Sequence, residues 1–256
     1  MGAASRCRAS LLEPCHRTPR WHVLPLLHFA HVWQARAYPG WVSDTTPSRA
    51  PSLTERRKAA TQLDIARAAV ELFTERGPDD TTAEDIALRA GVALRTFYRY
   101  FRSKQDAVAP LLAGGADRWR AGLAATAPGT PLAEALERSV TASLTPADAE
   151  AEEELRRTRG LLRAATGDPA LRAVWYRVNQ ESEERLREVL AGLAGPDADP
   201  LGVRLAAAAA TDAIRIALEG WAEPDGEPPV RGEGSPASLA VRCLRELTGG
   251  IAMLKE

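Results

Sequence analysis

Between Arg89 and Lys104 the sequence sets five cationic side chains, Arg89, Arg95, Arg99, Arg102 and Lys104, with no aspartate or glutamate among them. Thr96, Tyr98, Tyr100 and Ser103 are interleaved with them. Guanidinium, ammonium, phenol and hydroxyl groups are the donors that phosphate oxygens and base edges accept. The stretch holds no nucleophile with a base and no metal ligands, so its chemistry is recognition rather than bond making. A solvated basic face on an ordinary helical hairpin has the same composition. What separates the two readings is how the surrounding elements present the stretch.

Those elements are readable around it. Thr81 and Thr82 stand as N-cap residues, and Glu84 and Asp85 follow them by three, which is capping-box spacing. Ile86, Ala87 and Ala90 then share one helical face. Gly91 falls where a positive φ would end that helix and turn the chain. Val92 and Phe97 read as apolar pegs that fasten a second short helix to the first. With Phe97 inward, that helix offers Arg95 and Thr96 at its N-terminal half, a shape that enters a major groove. Upstream, Ser52 and Glu55 have capping-box spacing and open a helix with a core face of Ile65, Ala68, Ala69, Leu72 and Phe73. Gly77 and Pro78 stop it. Downstream, Ser103 with Asp106 predicts the cap of a further helix, with Lys104 in its first turn facing a phosphate.

As it stands at 81–104, Thr-Thr-x-x-x-Ile-Ala-x-x-Ala-Gly-Val-x-x-x-Thr-Phe-Tyr-x-Tyr-Phe-x-Ser-Lys resembles the DNA-binding signature of the tetracycline-repressor (TetR/AcrR) family of bacterial transcription regulators. The match runs without a gap. The spacing of Ala87, Gly91 and Phe97 is also that of helix-turn-helix proteins in general. The resemblance implies an all-α chain: a three-helix helix-turn-helix DNA-binding domain at 53–104, then a helical effector-binding and dimerisation domain at 105–256. It implies that Ala93, Leu94, Arg95 and Thr96 stand at the reading edge, the last three touching bases. Thr82, Tyr98 and Lys104 would hold phosphates, and Arg99 and Tyr100 would do either. A homodimer on a palindromic operator in double-stranded DNA, released by a small-molecule effector, follows from the same resemblance, and repression is the family's majority behaviour. Arg56, Arg57 and Lys58 reach phosphate in that picture, or form a solvated helix start.

The 256 residues carry 33 basic against 34 acidic side chains, so affinity for nucleic acid must come from a local patch. Cys7, Cys15 and Cys243 are too few and too scattered for a disulfide framework, which points to a reduced, cytoplasmic setting. No apolar run approaches a membrane span. No histidine follows His31, Cys243 stands alone, and no glycine-rich phosphate loop appears, so neither an enzyme nor a cofactor is expected. The alternative is a helical protein-interaction module that has lost sequence-specific DNA binding. The presence of Arg95, Tyr98 and Lys104 argues against it.

Residues 1–52 differ in character from the rest. All four histidines, two of the three cysteines and three of the six tryptophans fall there. Arg6, Arg8 and the run from Val23 to Ala30 imitate a signal peptide, but Pro25 and His28 interrupt the run. The spacing of Cys15, His16, His22, His28 and His31 fits no zinc pattern. The expectation is a disordered extension and linker, with Val42 as a candidate translation start.

Beyond Ser103 the punctuation predicts helices throughout. One runs from Ala107 to Leu123 with a bend or break at Gly114-Gly115, and others cover 132–144 and 147–165. Asp168-Pro169, Asp199-Pro200 and Ser235-Pro236 each set an N-cap before a proline at N1. In the last helix Ala240, Leu244, Leu247, Ile251 and Leu254 make a packing seam of a and d type. The last two helices suit either a dimer bundle or an intramolecular core. The resemblance implies a small-molecule pocket among the central helices, and Trp119, Trp175, Tyr176, Asn179, Asp212 and Arg215 are candidates for lining it. Trp119 and Trp175 also suit a plain core. Asp212 and Arg215, charged residues in an alanine-rich helix, suit a ligand pair or a salt bridge at a dimer interface.

Overall fold

Ser52 opens the first helix as its spacing predicts. Its hydroxyl oxygen accepts the Glu55 amide (3.2 Å), and the Ser52 amide donates to Glu55 Oε2 (2.7 Å). Helix α1 (Leu53–Arg76) then buries Ile65, Ala68, Ala69, Leu72 and Phe73 and stops at Gly77, whose φ of 85° few other residues tolerate. This computed structural model describes residues 52–251 and Leu254. The extension before them, with Val42 and the histidines, lies outside the described residues.

Helix α2 (Ala83–Arg89) is capped by Thr82 alone, with Asp85 closing the box: the Asp85 amide donates to Thr82 Oγ1 (3.1 Å) and the Thr82 amide to Asp85 Oδ2 (3.0 Å). Thr81 therefore does not cap. It is buried, and its hydroxyl donates to the Gly77 carbonyl (2.8 Å), tying the loop to the end of α1. Gly91 turns the chain at φ 66°, and helix α3 (Leu94–Tyr100) follows. Ser103 caps as expected, its oxygen accepting the Asp106 amide (3.1 Å), but what it caps is a 3-10 turn over Asp106–Val108. The α-helix proper, α4 (Ala109–Ala124), starts later than predicted. Pro110 has no N–H to give the Asp106 carbonyl, and the Ala109 amide bonds it instead, at 3-10 spacing. Gly114 and Gly115 neither bend nor break α4. Burial of Leu112, Trp119 and Leu123 on one face outweighs their propensity cost of about 1 kcal/mol each.

The remaining helices are α5 (Leu132–Leu144), α6 (Ala149–Gly167), α7 (Pro169–Ala194), α8 (Pro200–Ala222) and α9 (Pro236–Thr248). Asp148, Asp168, Asp199 and Ser235 accept first-turn amides with their side chains. No strand occurs among the described residues. Helix α7 runs between α4 and α8, α5 lies across α4 and α9, and α8 packs along α9. Helix α1 reaches α6 and α4 as well as α2, so the N-terminal helices share one core with the rest. The predicted seam of the last helix is interrupted. Ala240 and Leu244 are buried, Leu247 is exposed, and α9 ends at Thr248 before Gly249 and Gly250, so Ile251 and Leu254 lie beyond it.

Asp168 does more than cap α7. Its Oδ1 accepts the amides of Ala170 (2.8 Å) and Leu171 (3.0 Å), while its Oδ2 accepts Gln105 Nε2 (2.9 Å). Burial pushes this carboxyl up, but the bonds from Gln105 and the two amides, with the charge of Lys104, outweigh it and hold the group below its ordinary 3.8. A depressed folded-state pKa means that the ionised form stabilises the fold above 3.8, and that this contribution is lost as pH falls through the lower folded value. Asp168→Ala should lower stability by about 1–2 kcal/mol at pH 7, measured as the shift in urea midpoint. Against Asp168→Asn, the wild-type advantage should shrink as pH drops below 3.8. A gap that widens on acidification would refute the assignment.

Candidate nucleic-acid interface and central cavity

Helix α3 is fastened by one residue. Phe97 is its only fully buried side chain, meeting Phe101 (centroids 5.7 Å apart) and, edge to face, Tyr98 (5.3 Å). Everything else on α3 is at least partly outside. Arg95, Tyr98 and Arg99 are exposed, as is Arg102 just beyond, and this spacing sets them along one side. Thr96 is half-buried and Ala93 is exposed at the N-cap position. Leu94 and Tyr100 are partly buried against the core, further from the reading edge than the sequence suggests. The Arg99 guanidinium lies 4.8 Å from the centre of the Tyr100 ring and donates to its hydroxyl (3.2 Å).

Not every cation of the stretch is on offer. Arg89 turns back to α1, with Nη1 3.0 Å and Nη2 2.9 Å from the Glu75 carboxylate and Nη1 3.4 Å from Glu71. That hydrogen bonding holds the Glu75 carboxyl below its ordinary value. Arg76 likewise pairs with Asp85 at 2.7 Å. Arg95, Arg102 and Lys104 make no ion pair and no side-chain hydrogen bond among the described residues. The Thr82 hydroxyl donates to Asp85 Oδ2 (2.8 Å), so its proton is already placed. Arg56, Arg57 and Lys58 are exposed at the start of α1.

Helices α4 to α8 enclose a cavity of about 630 Å³, within the range that holds a drug-sized ligand. From α7 it is lined at helical spacing by Trp175, Val178, Asn179 and Ser182, and from α8 by Thr211, Ile214 and Leu218. The same α7 holds the exit of the N-terminal helices, through Asp168 to Gln105 and through Arg177 Nη2 to Asp106 Oδ1 (2.8 Å).

A family model described as bacterial regulatory proteins, tetR family, matches residues 65–109, and a second, described as the MftR C-terminal domain, matches 130–231. The chain belongs to the TetR family. Like the relatives it matches, it is a transcriptional regulator with a helix-turn-helix DNA-binding domain. The HTH-type transcriptional regulator TcmR of Streptomyces glaucescens is 29% identical over 166 residues, 61% of this chain and 72% of that one. The mycofactocin biosynthesis transcriptional regulator MftR of Mycobacterium tuberculosis is 45% identical over 49 residues, which cover 19% of this chain and 25% of MftR. A TetR-family regulator from Syntrophomonas wolfei shares the fold, with a TM-score of 0.52 over 75% of this chain and 94% of that one at 15% identity.

In this TetR-family chain the sequence-derived cavity residues divide evenly. Trp119, Trp175 and Asn179 are part of the wall, though the Asn179 amide already donates to the Trp175 carbonyl (2.9 Å). Tyr176, Asp212 and Arg215 lie outside the lining. Arg215 is bonded to Asp212 and Glu219 on its own helix, both at 2.9 Å, with its guanidinium 5.5 Å from the Tyr176 ring centre. Glu219 accepts Trp175 Nε1 (2.7 Å), so this network joins the outer sides of α7 and α8. Sequence reasoning missed Ser182 and Thr211, although the 175-178-179-182 and 211-214-218 spacings carried the signal. Neutralising one phosphate-bound cation should lower the slope of log K against log salt by about 0.9. For duplex binding, Lys104→Gln should do so, while Arg89→Gln, already paired with Glu75, should leave the slope unchanged. The reverse order would refute this sorting of the charges.

Proposed function

We infer that the chain is a ligand-responsive regulator that binds a palindromic operator as a homodimer and represses transcription until a small molecule releases it. One observation carries the reading: α3 is held by Phe97 alone and turns unpaired cations outward while neighbouring arginines are bound to acids. Residues 53–104 serve as the reader, 105–256 as the effector and dimerisation domain, and 1–52 as an extension. Arg95, with Thr96 and the edge of Leu94, addresses bases from Ala93 onward. Tyr98, Lys104 and the Thr82 end of α2 address phosphates, and Arg99 and Tyr100 stand between. The setting is the cytoplasm, where the DNA is, and no helix among the described residues is long and apolar enough to cross a membrane.

Two-fold symmetry requires a self-complementary face. Leu201, Leu205 and Ile216 are exposed at spacings that place them along one side of α8, and Leu247 is exposed on neighbouring α9. Single exposed leucines are ordinary, but a stripe on adjacent helices supports a dimer. Asp212 lies on the same side, so its bond to Arg215 belongs to the border of that face. A bundle of α8 and α9 from two copies would set the readers one turn of DNA apart, about 34–36 Å. Ligand in the cavity would move α7, and with it Gln105 and Asp106 at the root of α4, changing that separation.

Selection from random duplex DNA should enrich an inverted repeat. Arg95→Ala should reduce discrimination at one position in each half-site by about 1–3 kcal/mol. Enrichment of no sequence would overturn the reading in favour of an interaction module. Ile216→Glu should yield monomers by light scattering and bind a single half-site only; a dimer that persists would place the interface elsewhere.

A further inference from the structure

The cavity also says what kind of molecule fits it, given the reading of the C-terminal helices as an effector domain. Its charged lining residues are Arg118, Arg138 and Glu154. Arg118 pairs with Glu154 at 3.0 Å, and Arg138 pairs with Glu134 at 3.3 Å. These side chains are 39–56% exposed, so they belong to the rim, and each has its counter-charge already. The deeper wall, from Leu112 and Trp119 to Val178 and Leu218, is buried and apolar. An ionised ligand would lose hydration there and meet no free opposite charge, a cost of several kcal/mol.

The polar groups in that deeper wall are few and neutral, and one has nothing to bond. Thr211 is 6% exposed and its hydroxyl oxygen has no partner. Five other threonines inside helices, Thr61, Thr74, Thr141, Thr158 and Thr248, donate to the carbonyl four residues back. Thr211 does not, although the Ala207 carbonyl stands at that position. Threonine has two helical rotamers, so its hydroxyl can swing between its own backbone and the wall. Ser182, 3% exposed on α7, adds a second neutral hydroxyl to the lining. A buried hydroxyl left unmet is unfavourable, and a ligand acceptor would remove that cost.

We propose that the cavity binds an uncharged, predominantly apolar small molecule whose carbonyl or similar acceptor takes the hydrogen bond of Thr211. Three fluorescent probes test this on the free protein. Prodan is neutral and carries a propionyl carbonyl. N-phenyl-1-naphthylamine is neutral without a carbonyl, and 8-anilino-1-naphthalenesulfonate adds a charge to that second skeleton. Both neutral probes should saturate one site per chain and displace each other, and the sulfonate should bind at least about tenfold more weakly than its neutral counterpart. Thr211→Val should weaken Prodan about five- to tenfold, the equivalent of one net hydrogen bond. It should leave N-phenyl-1-naphthylamine within about twofold, and Thr211→Ser should restore Prodan. Sulfonate binding that equals the neutral skeleton overturns the proposal on the wild-type protein alone. So does a Thr211→Val loss that is the same for both neutral probes. Because these titrations contain no DNA, they stand apart from the switching role: Prodan that binds without loosening the protein from DNA overturns ligand-switched release and leaves the ligand class intact.

Discussion

One carboxylate joins the two working parts of this molecule. Asp168 caps α7 with one oxygen and holds Gln105 with the other. Arg177, nine residues further along α7 and so about 13.5 Å along its axis, reaches Asp106, the neighbour of Gln105. Two adjacent residues at the root of α4 are therefore gripped from two separated points on one helix. A single contact would leave α7 free to pivot about it. Two contacts make the root follow the helix in both position and angle. The opposite side of α7 supplies Trp175, Val178, Asn179 and Ser182 to the cavity. Whatever displaces that wall is transmitted to the base of the reader without a chain of intermediate packing rearrangements.

Charge is organised by subtraction as much as by placement. The chain is nearly neutral, with 33 basic and 34 acidic side chains, so no long-range field draws it to DNA. What remains is a local set of cations left over after others are paired. Arg89 and Arg76 are bound to Glu75 and Asp85, which fastens α2 to the end of α1. Exposed pairs of this kind contribute about 0–1 kcal/mol each, so their stabilising effect is small. Their electrostatic effect is larger: they keep acidic side chains of α1 and α2 away from Arg95, Arg99 and Arg102.

The parts of this arrangement that were legible in the sequence are those fixed by residues within four positions of each other. Ser52 with Glu55, Thr82 with Asp85, and the Asp-Pro and Ser-Pro pairs before α7, α8 and α9 name their own helix starts, because a cap is a local bond. The core face of α1 and the burial of Phe97 follow from periodicity. What escaped depends on distant partners. Arg89 looks like the other cations of its stretch until Glu75 and Glu71, 14 and 18 residues away, take it out of use. Gly114 and Gly115 look like a break until burial on α5 and α7 holds α4 straight. Asp212 and Arg215 drew attention as charges in an apolar helix, yet their partners lie on that same helix. Thr211, one position before Asp212, looked ordinary, because its distinction is a missing bond.

Magnitudes set what a ligand must do to act as a switch. Driving a two-state equilibrium from 1:99 to 99:1 needs about 5.5 kcal/mol of differential affinity. A hydrogen bond to Thr211 made in only one state supplies about 1 kcal/mol. The remaining 4.5 kcal/mol or so corresponds, at about 25 cal/mol per Å², to roughly 180 Å² more apolar surface buried in one state than in the other. That is the area of a single aromatic side chain, and walls lined by Trp119, Trp175, Leu112 and Leu218 can present it if α4 and α7 close on the ligand together. An apolar molecule that fills the cavity without drawing those two helices together would bind tightly and switch nothing. The joint between Asp168 and Gln105 is therefore where binding becomes regulation, since it makes movement of α7 inseparable from movement of the root of α4.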